Sequence, residues 1–201
     1  MKGGLWALVA GVALTACANP INERTYERYM AAGDQAAARG DLSLAKINYS
    51  RAVTNASVGH LSPQQKGNGL FKYARILGNL CEHDEAEKWF LEAHKLNEEV
   101  NGRGSERTYV TVAEVAQLNY DIGRYAKAVT YFDQGLPIAE KYHMDTKYPA
   151  SFADVYTDYA DALKQTGNSE KAAEAIRKAV ALRAQATKPE PGYTRYPKSC
   201  K

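Results

Sequence analysis

The sequence predicts an all-α fold, a solenoid of about four helix–turn–helix units. Three observations predict it. One pattern of small and large residues recurs four times. Its copies stand at nearly even spacing, and self-similarity at a fixed period marks a repeat architecture. Helix-start signals fall where the pattern says that helices begin.

The four copies are Gly40 to Ala45, Cys81 to Ala86, Gly123 to Ala128 and Gly167 to Ala172. Their alanines lie 41, 42 and 44 residues apart. Four residues after each alanine comes a larger apolar or aromatic residue: Tyr49, Phe90, Phe132 or Ile176. Three further on is a small one, Ala52, Ala93, Gly135 or Ala179. Twelve before the alanine stands another, Gly33, Ala74, Ala116 or Ala160. Small residues at this spacing let two helices approach closely, and the glycine supplies the left-handed turn between them.

Taken in order, first helices are expected over 22–39, 63–80, 106–122 and 150–166, and second helices over 42–57, 84–101, 125–142 and 169–186. Ser62-Pro63 and Tyr148-Pro149 read as helix starts, because proline suits the first helical position. Ser105 and Asn168 read as N-caps. Two departures stand out. Cys81 replaces the turn glycine of the second unit. Pro137 falls inside the second helix of the third, where it is expected to kink the helix. Ala86 is assigned to a helix contact, while Glu87, Lys88 and Lys127 are expected to face outward.

The pattern resembles the tetratricopeptide repeat and covers nearly all of 22–187. The usual period is 34 residues, so these units are similar to the longer variety of kinesin light chains. The resemblance implies a right-handed α-solenoid whose first helices line a concave groove for a protein or peptide ligand. Carried across, the groove positions are Asn68, Phe71, Lys72, Arg75 and Asn79, then Val110, Glu114, Gln117 and Tyr120, then Asp154, Thr157, Asp158, Asp161 and Lys164. Such a groove would be basic near the second unit and acidic near the fourth.

The N-terminus carries a second resemblance. Lys2 precedes the apolar run Leu5 to Ala13, which is too short to cross a bilayer, since that takes roughly 20 apolar residues. With Leu14-Thr15-Ala16-Cys17 it forms an export signal and resembles the lipobox of bacterial lipoproteins. The resemblance implies a signal peptide over 1–16, acylation of Cys17, a linker over 17–21 and a place in the bacterial cell envelope. Ala18 after the cysteine favours the outer membrane, facing the periplasm. Several acyl chains on one residue give stable anchoring, which a single chain does not.

The formal net charge of +3 is too small to argue for nucleic acid. The sequence shows no nucleophile paired with a base, no phosphate-cradling loop and no zinc spacing. No enzyme, cofactor or metal is therefore expected. Cys81-Glu82-His83-Asp84 reads as a solvated turn rather than a metal site. Cys81 and Cys200 stand either as free thiols or as a disulfide in an oxidising compartment. The tail over 188–201 is proline-rich and basic. It reads as a disordered, solubilising end, the alternative being a segment that docks on the envelope or a partner through Tyr193 and Tyr196. The expected function is a lipid-anchored adaptor in envelope assembly, serving a pilus, secretin or peptidoglycan-enzyme partner. The alternative is a peptide- or small-ligand-binding receptor.

Overall fold

A computed structural model of the chain describes residues 20–190, 192 and 194–200. Among them are nine α-helices and no strand. They are α1 (Pro20–Ala38), α2 (Leu42–Val58), α3 (Pro63–Asn79), α4 (His83–Asn101), α5 (Glu106–Asp121), α6 (Tyr125–Lys141), α7 (Met144–Lys147), α8 (Pro149–Gln165) and α9 (Ser169–Gln185). Four antiparallel pairs, α1/α2, α3/α4, α5/α6 and α8/α9, stack in chain order, each against its sequence neighbours. The Cys17 lipobox lies outside the described residues.

Helices α2, α3, α5 and α9 start at side-chain caps. Ser62 and Gln65 form a reciprocal capping box ahead of Pro63. Ser105 accepts from the Thr108 amide and Asn168 from the Lys171 amide. The turns need a left-handed residue, with φ of 78°, 81° and 82° at Gly40, Gly123 and Gly167. Cys81 takes the same turn at φ 60°, where a Cβ is disfavoured. The one element beyond the expected eight is α7. It follows His143, itself left-handed at φ 53°, and carries the chain into Pro149.

The repeat pattern is the core. Ala45, Ala86, Ala128 and Ala172 are wholly buried, and so are their small partners Ala52, Ala93, Ala74, Ala116 and Ala160. Tyr49, Phe90 and Phe132 are buried beside them. Ile176 is only half-buried, because no helix pair among the described residues packs beyond α9. A Cβ on Gly33 would stand 2.5 Å from the Tyr49 ring, so that position can hold only glycine without moving the ring.

Tyrosine–carboxylate–lysine triads tie neighbouring pairs together. Asp34 accepts from Tyr49 and Lys72, Asp133 from Tyr159 and Lys171, and Glu140 from Tyr156 and Lys178. Burial first, and then the carboxylate beside each, push the phenols of Tyr49, Tyr156 and Tyr159 upward, that of Tyr159 to about 12.

One expectation is corrected here. Glu87 does not face solvent. Its side chain is 9% exposed and binds Arg124 at 3.2 Å and Lys127 at 2.9 Å, joining the second pair to the third. The carboxylate can be buried because two cations meet it there. The turn at Cys81–Asp84 stays in contact with water, the Asp84 side chain being 87% exposed, and also carries three links. Glu82 takes Lys46 at 2.6 Å, Asp84 takes Arg124 at 2.6 Å, and Cys81 forms a disulfide. At Pro137 the helix continues, α6 running unbroken from Tyr125 to Lys141.

Candidate functional site

The first helices α3, α5 and α8 share one face, and the C-terminal tail lies across it. This overturns the reading of the tail as a disordered end. The segment leaves α9 and passes α8, where Glu190 accepts from the Ser151 amide at 2.9 Å. It then crosses α5 and α3 and ends at a Cys81–Cys200 disulfide with a Cα–Cα distance of 5.8 Å.

Thr194, Arg195 and Tyr196 make the central contacts. The Thr194 hydroxyl accepts from Arg75 Nη2 at 2.6 Å and donates to Glu114 Oε1 at 3.3 Å. Arg195 reaches Asp158 Oδ2 at 2.6 Å and Asp121 Oδ1 at 3.1 Å, with its guanidinium 6.0 Å from the Tyr120 ring centre. The backbone N–H of Tyr196 donates to Asp121 Oδ2 at 2.8 Å. Its phenol donates to Glu114, and its ring packs edge-on against Phe90. Tyr196 is 4% exposed, so it completes the core between α3 and α5. Gly78 makes the room, since a Cβ there would stand 2.6 Å from the Tyr196 ring. Beyond it, His83 Nε2 lies 2.8 Å from the Pro197 carbonyl oxygen. Tyr193 lies outside the described residues.

The electrostatics follow from burial. Desolvation raises the Glu114 carboxyl above the ordinary glutamate range, despite Arg75 and the hydroxyls of Tyr196 and Thr194. Desolvation also raises Asp158, against the pull of Arg195 and Gln117. The Tyr196 phenol is pushed far up by burial and by Glu114. Gln117 donates to Asp121 at 2.9 Å and Asp158 at 3.3 Å, which spaces the two carboxylates that receive Arg195.

The expected groove residues thus divide. Arg75, Glu114, Gln117, Tyr120, Asp158 and Asp161 come together, with Tyr120 donating to Asp161 at 3.2 Å. Lys72 turns to Asp34 at 2.6 Å, and Asp154 turns to Arg183 on α9 at 2.7 Å. Asn79 spends its amide on the Arg75 carbonyl of its own helix. Asn68 and Phe71 line an open hollow of about 190 Å³ with Arg107 and Val110. Val110 also borders a second hollow of about 180 Å³, walled by Glu114 and Thr194. Sequence reasoning missed Asp121 and Gly78. It also missed that the tail's Arg-Tyr pair is the chemical complement of an acidic groove.

Comparison with known proteins agrees with the repeat fold. Models described as tetratricopeptide repeat match residues 68–141 and 153–185. The pair α1/α2 lies outside both matches, although it repeats the same packing. No curated protein matches. Among solved structures, the chain is similar to BtubC (BKLC) from P. vanneervenii, with 18% identity, a TM-score of 0.75, and coverage of 90% of this chain and 72% of that one. It is similar to a putative kinesin light chain of Podosopora anserina with nearly identical TPR-like repeats. There the identity is 16% and the TM-score 0.66, with 83% of this chain and 76% of that one covered. MamA gives 13% identity and a TM-score of 0.62, over 83% of this chain and 82% of that one. At these identities the likeness concerns the fold.

Proposed function

The chain belongs to the tetratricopeptide repeat proteins, and on that premise we propose that it is a lipid-anchored adaptor of a bacterial envelope. The repeat domain is a protein–protein interaction scaffold. One observation carries the finer reading: the face of α3, α5 and α8 already grips an extended segment, Thr194 to Tyr196, through Arg75, Glu114, Asp121 and Asp158. A surface that orders an extended chain by side-chain contacts can order a partner's chain in the same way. The sequence Leu14-Thr15-Ala16-Cys17 supports the anchor. The fixed cysteine holds the domain at a membrane, and the helical face presents or captures a protein segment. The outer membrane, on its periplasmic side, is the proposed location. No helix of the described residues is long and apolar enough to cross a membrane.

Cys17→Ser tests the anchor. Fractionated cells should show the variant released from the membrane fraction, where the parent chain is retained. A variant that stays wholly in the outer-membrane fraction refutes the lipoprotein reading. Crosslinking in intact cells, with photoreactive residues at Val110 or Phe71, should capture a protein. Capture only from the outer side, at Lys88, would place the partner elsewhere.

A further inference from the structure

The tail matches the face beneath it residue by residue. A cation, Arg195, enters between two carboxylates, Asp121 and Asp158. An aromatic ring, Tyr196, enters a slot that exists only because position 78 lacks a side chain. A hydroxyl at 194 bridges Arg75 and Glu114. At Thr194–Tyr196 the helices contribute side chains alone to these contacts, and the Arg195 side chain remains 51% exposed. The covalent hold is at the far end, where Cys200 is exposed.

We propose that the face of α3, α5 and α8 is a recognition site for an extended segment bearing adjacent arginine and tyrosine side chains, and that Thr194–Tyr196 is its tethered occupant, exchanged for a partner's segment once the Cys81–Cys200 link is opened. This deepens the adaptor reading and rests on it. Arg–carboxylate pairing supplies orientation and the buried ring supplies the anchor, the two residue types that dominate interface energetics. A tethered occupant competes at a high effective concentration, set by its tether. The tail is tethered at both ends, by α9 and by the disulfide. Opening the disulfide leaves one tether and a longer reach, so a free segment then competes on better terms.

The link opens by exchange with a dithiol. One thiolate of the dithiol attacks Cys200 Sγ, and Cys81 leaves as a thiolate and takes a proton. The second thiolate then attacks the dithiol's own sulfur in the mixed disulfide, releasing Cys200, which is protonated in turn. Two electrons pass from the dithiol to the bridge, and the dithiol ends as a disulfide.

The test uses the full chain made soluble by Cys17→Ser, and a fluorescent peptide Gly-Tyr-Thr-Arg-Tyr-Pro-Lys-Ser read by anisotropy. The oxidised chain should bind the peptide poorly, and dithiothreitol should tighten binding at least about tenfold. A chain with Arg195→Glu and Tyr196→Ala should bind tighter still under dithiothreitol. A control peptide carrying Glu for Arg and Ala for the second Tyr should bind at least about 30-fold more weakly, and Asp158→Ala in the receptor should do the same to the parent peptide. Circular dichroism is recorded for every chain. Three results overturn the proposal. The tail variant can keep its helicity and fail to prefer the peptide over the control. Binding can be indifferent to dithiothreitol. Or the tail variant can lose its helicity, which would make the tail part of the repeat packing. Any of these leaves the adaptor reading to the crosslinking experiment, which does not depend on peptide chemistry.

Discussion

Replacing Gly78 by alanine sets two effects against each other. Gly78 lies in the last turn of α3, and a Cβ there would stand 2.6 Å from Cδ1 and Cε1 of Tyr196. Real Cβ contacts do not come that close, so the ring must retreat from a site where it is 4% exposed. Overpacking of this kind costs about 1–3 kcal/mol. Against it, alanine favours a helix over glycine by about 0.5–1 kcal/mol. In the intact chain the clash wins, and Gly78→Ala should destabilise by about 1–2 kcal/mol. In a Tyr196→Ala background the ring is gone while the helical preference remains. There the same change should stabilise by about 0.5–1 kcal/mol. The sign reverses, and the coupling in a double-mutant cycle should be about 1.5–3 kcal/mol. Urea unfolding of the four chains, followed by circular dichroism, measures it. Equal losses in both backgrounds would refute the docking of Tyr196 over Gly78.

Four other substitutions test the core, the ion cluster, the tail contact and the bridge. Ala86→Leu should cost about 1–3 kcal/mol by overpacking, and Glu87→Ala should cost about 0.5–1 kcal/mol, because Arg124 and Lys127 are partly exposed to water and Arg124 keeps Asp84; thermal melts that show Glu87→Ala stabilising would contradict the ion cluster. Glu114 and Asp158 titrate above their ordinary ranges when folded, so the native state holds more protons and their contribution to stability is lost as pH rises through their folded values. Glu114→Gln should therefore gain stability relative to the parent chain as pH rises above the ordinary glutamate value of about 4.3, read from urea midpoints; a gap that narrows as pH rises contradicts the burial of that charge. Cys200→Ser should lower the unfolding midpoint, because the bridge closes a span of 119 residues and such loops are worth up to about 5 kcal/mol in the chain-entropy model; the difference should vanish in dithiothreitol, and a difference that persists would mean the link does not form.

Much of the fold was legible because its signals are local and repeated. Ala86 with Phe90 and Ala93 reads as one helix face wherever it occurs, and four copies leave the register no freedom. Ser62 and Ser105 announce their helices because capping needs only the next three residues. What could not be read depends on which groups meet across pairs. Glu87 looks like any surface glutamate until Arg124 and Lys127, on the next pair, are set beside it. The groove positions named from first helices do face together at Arg75, Glu114 and Asp158. Whether the face stays open depends on a tail more than 30 residues beyond the last of them, whose prolines show only that it is not a helix. Lys72 and Asp154 were drawn off by Asp34 and Arg183, choices made by geometry within a few ångströms.

The bridge also has a mechanical consequence. If the N-terminus is held at a membrane and the C-terminus is pulled by something bound there, tension enters at α1 and runs through α2 and α3 to Cys81. From there a covalent shortcut leads straight to Cys200. The 118 residues between them, with α4 to α9, are bypassed and carry none of the load. Only the first three helices can be drawn out, and the rest of the domain rides on the shortcut as a slack loop. Opening the disulfide would put every repeat in series and let the same pull unravel the array from α9 backwards.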